Sequence, residues 1–254
     1  MADLSKAAAA LRDVRLRHER FPGFPANEVP KDDGEGYAIQ DALADLLAED
    51  LGGMVGYKIG CTSPALQQFM NIDCPCSGTM FAATEVERGK ELRLENYVRP
   101  ALECEIGVRL GQDLDPSDGT IDRNRAAAAI AAVFVSIEIV DERFVDYRAV
   151  GTPTLIADNF MNAGFVRGKE RMNVDPLQLD GAHGETLVNG EVYGEGFGRD
   201  VLGHPLDVLI WLANETAKRG RPLLEGTLVT TGSVVRPYYV KSGDVVTMRN
   251  DMLG

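Results

Sequence analysis

The stretch RPALECEIGVRL, Arg99 to Leu110, carries two carboxylates, Glu103 and Glu105, within an otherwise apolar run that includes Ala101, Leu102, Ile106 and Val108. In a strand, residues two apart share a face. Both acids then point one way, and Cys104 and Ile106 the other. Adjacent carboxylates repel and are costly to bury without compensation. A third acid, Glu138, stands in the apolar run AVFVSIEIVDER, on the face shared with Phe134 and Ser136. Either these faces are solvated, or a cation sits between the acids. Three carboxylates from two strands suit a hard, oxygen-seeking divalent ion such as Mg²⁺ or Mn²⁺.

An anionic ligand bound there needs positive charge, and Lys58 is the natural donor. In VGYKIG it shares a strand face with Gly56 and Gly60, which leaves room beside it. The alternative is a surface lysine whose stem lies on apolar surface with its amine in water. Asp141, Arg143 and Asp146 follow Glu138 closely, and could either orient it or form a salt-bridged strand end. His204 precedes Pro205 and an apolar run, so it reads as a helix start. GEGFGR imitates a phosphate loop, but no strand–helix–strand unit frames it, so the glycines are assigned to turns and a tight strand bend.

These residues need elements to hold them. Helices are expected over residues 3–20 and 36–50, the second with an apolar face of Tyr37, Ile39, Leu43, Leu46 and Leu47. From about residue 54 short β-like runs take over: MVGYKIG, ELRLENYV, LECEIGVRL, AVFVSIEIVD, GETLVNGEVYG, TLVTTGSVV and DVVTMRN. RNRAAAAIAAV and PLDVLIWLANETAKRG read as later helices. The pattern predicts a β-rich α+β fold, with a helical N-terminal subdomain over 1–53 and the remainder over 54–254.

The 254 residues, 44% of them hydrophobic, can bury a sizeable core, and the net charge of −13 disfavours nucleic acid or an anionic membrane as partner. No apolar run of about 18 residues predicts a membrane span. The Ala-rich, then basic start lacks the order of a secretory signal. Cys61, Cys74, Cys76 and Cys104 are too sparse for a disulfide scaffold. A cytoplasmic protein with reduced thiols is expected.

GYKIGCTSPALQQFMNID, ALECEIGVRLGQDL, IEIVDERFVDY, IADN and VLGHPLDVLIWLANETAKRGRPLLEGTLVTTGS resemble, in order, the 2-oxopent-4-enoate hydratase and 4-oxalocrotonate decarboxylase family of the fumarylacetoacetate-hydrolase superfamily. The resemblance spans roughly Tyr37 to Asp244. It implies a mixed β-roll as the catalytic domain, Mg²⁺ or Mn²⁺ held by Glu103, Glu105 and Glu138, and a small 2-oxo or 2-enol acid as substrate. It also implies a homo-oligomer, or a complex with another pathway enzyme, in aromatic compound catabolism. By the same likeness Lys58, Gln68, Asn159, Met161 and Ser233 fall at substrate-binding positions. Hydratase-like relatives usually carry Asp where this chain has Cys76, and Ser where it has Met161. The expected activity is a metal-dependent hydratase acting through a dienolate, with Lys58 and Cys76 as catalytic candidates. The alternatives are a 2-oxo acid decarboxylase, a C–C hydrolase, or a non-catalytic partner subunit.

Overall fold

A computed structural model describes residues 3–254. The chain opens with α1 (Leu4–Leu16) and α2 (Asp33–Leu51). Asp32 caps α2, its carboxylate accepting the Glu35 N–H at 2.9 Å. Next come β1 (Met54–Gly60), α3 (Pro64–Met70), β2 (Cys76–Phe81), β3 (Pro100–Leu110), α4 (Arg123–Ala128) and β4 (Ile130–Asp141). After them follow α5 (Thr152–Ala157), β5 (Asn162–Arg167), β6 (His183–Val188) and β7 (Glu191–Phe197). The chain ends with α6 (Pro205–Lys218), β8 (Leu228–Ser233), β9 (Tyr238–Tyr239) and β10 (Val246–Asn250). Among the described residues no helix is long and apolar enough to cross a membrane.

The main sheet runs β2-β1-β8-β3-β4-β5, with β9 added beside β3. Its pairings are antiparallel except that of β1 with β8. The sheet curls until its edges meet: just past β2, Glu85 bridges Phe165 of β5, and the Val86 N–H donates to the Phe165 carbonyl at 2.8 Å. The expected α+β roll is therefore present. A smaller sheet, β10-β6-β7, packs beside it. Its β6–β7 hairpin turns on Asn189 and Gly190, both with positive φ, as a tight two-residue turn requires.

Alternation along the strands sorts the side chains. Tyr57, Ile59, Cys104, Ile106, Val108, Val133 and Val135 face outward into a core shared with α6. Inside the roll, Met80, Phe134, Phe165 and Leu228 form a smaller apolar cluster. A third cluster joins α1, α2 and α5 to Cys61, Cys76, Phe81, Phe160 and Met161. The N-terminal helices thus share a core with residues beyond 53, and packing does not break at that position.

One expected strand is absent. ELRLENYV folds as a 3-10 turn at Leu94–Asn96, because the next backbone N–H groups, of Val98 and Arg99, donate to the Asp141 carboxylate at 2.9 and 2.8 Å instead of to a strand. His204 is a helix start: its Nδ1 accepts the Leu206 N–H at 3.0 Å. In GEGFGR, a Cβ at Gly196 would lie 1.9 Å from the Val234 carbonyl oxygen. That glycine serves close backbone approach.

Candidate active site

The register of the roll assembles the acids. Glu103 on β3 stands directly opposite Glu138 on β4, and Glu105 opposite Ser136. Like charges opposed across a ladder destabilise it, yet here one carboxylate oxygen from each of Glu103, Glu105 and Glu138 lies within 4.8 Å of the other two. Glu105 and Glu138 are buried, at 1% exposure each. Glu105 Oε2 accepts the Gly232 N–H at 2.8 Å. Glu138 Oε1 accepts from Asn162 Nδ2 at 3.0 Å and lies 3.1 Å from Lys58 Nζ. The remaining oxygens, Glu105 Oε1 and Glu138 Oε2, are buried without a partner. Orphaned acceptors of this kind are expensive, and a divalent ion coordinated by oxygen would satisfy them. The donor set fits such an ion.

The electrostatics carry the same message. Burial, then Glu138, pushes the Glu103 carboxyl up to about 7, with Lys58 pulling the other way. Burial, then Glu138 and Glu103, holds Glu105 well above the ordinary carboxylate range. Burial alone would lower the Lys58 pKa, but Glu138, Glu103 and Glu105 together outweigh it, so the ammonium is held charged. β1 positions that ammonium through the expected alternation, with Gly56 and Gly60 on its face.

The far wall comes from the turn between α5 and β5. Asn159, Phe160 and Met161 have φ of 58°, 46° and 61°. Three successive left-handed L residues cost about 1–2 kcal/mol each, so the turn must be held. Both ends of the Asn159 amide are bound to the backbone of Thr79. Arg143 donates to Asp158 at 2.8 Å, and Arg15 of α1 reaches Asp158 and the Asn162 carbonyl. The held turn places the Phe160 ring centroid 5.0 Å from Lys58 Nζ.

Lys58, Glu103, Glu105 and Glu138 come together, and Met161 lies in the adjoining wall beside Phe160. The other expected residues make the following contacts, and Ser233 on β8 stands opposite Glu105 in register. Gln68 is exposed on α3, a helix with no buried residue, whereas its neighbour Gln67 donates inward to the Cys61 carbonyl at 2.9 Å. Asn159 spends its amide on Thr79. The Ser233 hydroxyl turns to the carbonyl oxygens of Cys104 and Val235. Cys76 stands opposite Gly60 in register and is fully buried. Burial, with Cys61 and Cys74 next, pushes its thiol well above the usual range. Asp146 pairs with exposed Arg148 at 3.3 Å, not with the cluster. The group that orients Glu138 is Asn162, which sequence reasoning missed. Its only signal was its place three residues past Asn159, at the end of ADNFMN.

A curled sheet that gathers three acids and one ammonium in its interior defines a divalent-cation enzyme for anionic substrates. The family described as fumarylacetoacetate (FAA) hydrolase C-terminal matches residues 74–254, and the chain belongs to that family. It is 32% identical over 253 residues to a 2-keto-4-pentenoate hydratase of Burkholderia vietnamiensis, covering 100% of this chain and 93% of that one. A 2-keto-4-pentenoate hydratase 1 of Dechloromonas aromatica is 34% identical over 226 residues, covering 88% and 84%. Among solved structures, 4-oxalocrotonate decarboxylase from Pseudomonas putida G7, complexed with magnesium and adipate, superposes with a TM-score of 0.88 at 28% identity, covering 99% of this chain and 94% of that one.

Proposed function

We propose that the protein is a divalent-metal-dependent hydratase of a small 2-hydroxy-2,4-dienoic acid, with Mg²⁺ or Mn²⁺ as its ion. The observation that carries this reading is the convergence of Glu103, Glu105 and Glu138 beside a buried, charged Lys58. The names of the full-length relatives supply the reaction. Glu103, Glu105 and Glu138 would hold the ion, which when bound supplies Lewis-acid stabilisation to negative charge on the 2-oxygen of the substrate.

The chain's own groups account for the rest. Lys58 holds the substrate carboxylate or the charge developing at the 2-oxygen, and at neutral pH it acts as a donor, not a base. Phe160 and the buried wall around it exclude water from the ammonium's inner side, which strengthens its pull on the anion. In the overall change the enol proton leaves the 2-oxygen, hydrogen is added at C3 and C5, and the oxygen of water bonds to C4. Cys76 supports the wall and stays protonated.

The solved decarboxylase favours a second reading, decarboxylation of a 2-oxo diacid. A C–C hydrolase is disfavoured, since His204 caps α6 and His183 pairs with Glu195 at 3.3 Å, both away from the cluster. A non-catalytic subunit would have no use for the buried acids. The reading extends to a cytoplasmic homo-oligomer, alone or complexed with another pathway enzyme.

The test is incubation of the Mg²⁺-loaded protein with 2-hydroxypenta-2,4-dienoate, following loss of the dienol chromophore and formation of 4-hydroxy-2-oxopentanoate. Turnover that vanishes with a chelator and returns with Mg²⁺ is expected. Release of CO₂ from 2-oxohex-3-enedioate, with no hydration of the monoacid, would replace hydratase by decarboxylase.

A further inference from the structure

Strand alternation orders the inward face of β3 and β4 into a column. Gly107 stands opposite Phe134, Glu103 opposite Glu138, and Ala101 opposite Val140. The inner end of the column is filled. A Cβ at Gly107 would lie 2.1 Å from the Phe134 ring, and Met80, Phe165 and Leu228 share that apolar cluster. A ligand held at the three acids therefore extends outward, past Ala101. Tyr239 crosses that path. β4 occupies one edge of β3 along its whole length, so β9, which pairs with Ala101 and Leu102, lies along the other edge. Tyr239 stands opposite Ala101 and shares its inward face. Its hydroxyl nevertheless donates to Glu142 Oε2, just past the end of β4, at 2.8 Å. The side chain thus spans the inward face of β3 from one edge to the other, in front of the small Ala101. Arg99 backs it from the solvent side. Its Nη1 donates to the same Glu142 oxygen at 2.7 Å, and its guanidinium carbon lies 4.2 Å from the centre of the tyrosine ring.

From this geometry we infer that Tyr239 is the outer wall of the substrate site and limits the length of chain the site accepts, with Glu142 and Arg99 as its positioning residues. The inference rests on the function proposed above and deepens it. The carboxylate and 2-oxygen of the substrate go to the acid cluster and its ion, and the distal carbons run toward the tyrosine. Two residues of strand separate Glu103 from Ala101, a rise of about 7 Å. The ring therefore leaves room for a short distal chain and none for a long one. A longer chain passes only by breaking the hydrogen bond to Glu142 and lifting the ring from the guanidinium.

The test is calorimetric titration of the Mg²⁺-loaded protein with two unreactive acids, 2-oxopentanoate and 2-oxooctanoate. The wild type should bind the shorter acid at least about 10-fold more tightly, a discrimination of the size that added methylenes produce in a fitted pocket. An unobstructed column would do the reverse, because each added methylene would bury more apolar surface. Tyr239→Ala should remove most of the preference, and Tyr239→Phe, which keeps the ring and loses its hydrogen bond, should fall between. Mg²⁺ affinity should hold in both variants. Tyr239 is 39% exposed, so neither change threatens the core, and should the alanine variant still fail to fold, the wild-type ratio alone decides. Equal or tighter binding of the longer acid by the wild type would overturn the inference while leaving hydration of the short dienoate intact. So would an unchanged ratio in a folded Tyr239→Ala protein. A wild-type ratio in Tyr239→Phe would overturn the role given to Glu142. Failure of both acids to bind would overturn the proposed function and this inference with it.

Discussion

Lys58 Nζ lies 3.1 Å from Glu138 Oε1, with the two side chains 3% and 1% exposed. Lys58 on β1 and Glu138 on β4, strands separated in the sheet by β8 and β3, reach each other across the roll. Theirs is the only ion pair joining the acid cluster to a cation among the described residues. Removing the ammonium leaves three converging carboxylates uncompensated, and breaking a buried pair typically costs about 3–5 kcal/mol. Lys58→Met should therefore lower the melting temperature of metal-free protein markedly, with Mg²⁺ restoring part of the loss. Turnover should fall at least about 100-fold even at saturating metal, the scale of losing one charge stabiliser. Wild-type kinetics in this variant would remove Lys58 from the reaction.

Glu105→Gln separates charge from volume. The amide keeps an oxygen for the Gly232 N–H, so packing survives. One like charge is gone, and the metal-free protein should be no less stable than wild type at pH 8. Divalent affinity, read by calorimetry, should drop by about 100-fold, since a hard ion loses one of its anionic ligands. Unchanged affinity would show that the ion sits elsewhere.

The raised carboxyls predict a pH dependence. Glu103 moves from an ordinary 4.5 up to about 7 in the fold, and Glu105 shifts in the same direction. A group whose pKa is higher folded than unfolded binds its proton more tightly when folded. Its contribution to stability is full below about pH 4.5 and is lost as pH rises through about 7. Metal-free protein should therefore lose melting temperature between pH 5 and 8. The ion competes with those protons, so the rise in melting temperature produced by Mg²⁺ should be larger at pH 8 than at pH 5. A metal increment that is flat with pH would contradict the buried-acid site.

The contrast between legible and illegible parts has a physical basis. Glu103, Glu105, Glu138 and Lys58 could be read because strand alternation fixes which residues share a face, and acids among apolar neighbours stand out. β2 was not read: all six residues of CSGTMF are buried, so no polar alternation marks it. α5, only six residues long, is too short to show a helical period. Gln68 and Ser233 were placed by resemblance alone: Gln68 is exposed, and Ser233, opposite Glu105 in register, turns its hydroxyl to backbone carbonyls. Least legible was the turn at Phe160, where three residues adopt a conformation that sequence normally marks with glycine. The clamps that impose it come from Thr79, Arg143 and Arg15, distant in sequence.

Asn162 tests how the ligands are held. Its amide donates to Glu138 Oε1 at 3.0 Å, and its carbonyl is bound by Arg15 of α1. Asn162→Ala should loosen Glu138 and weaken Mg²⁺ binding by about 10-fold, the low end for groups that orient a ligand. Asn162→Asp adds a further carboxylate beside the cluster and should destabilise metal-free protein more than the alanine change does. Asn162→Gln, which retains the donor group, should recover part of the affinity. Equal affinities in all three variants would reduce Asn162 to packing.

Cys76 is a catalytic candidate by resemblance alone, and its environment decides whether a thiol acts there. It stands opposite Gly60, on the face of β1 that carries Lys58. It is fully buried, in a cluster with Tyr37, Phe81 and Phe160. Burial raises its pKa, Cys61 and Cys74 add to the effect, and the opposing pull of Lys58 is the smallest contribution. A thiol so placed is not ionised at neutral pH and cannot serve as a base. Cys76→Ser should cost stability, about 1–3 kcal/mol for a hydroxyl set among apolar neighbours, while kcat/KM at 25 °C stays within about 3-fold of wild type. The pH profile should show no limb that disappears with the substitution, and iodoacetamide should leave Cys76 unmodified in native protein at pH 8. Abolished turnover in Cys76→Ser, with its fold and Mg²⁺ affinity intact, would instead make the thiol the proton carrier of the reaction.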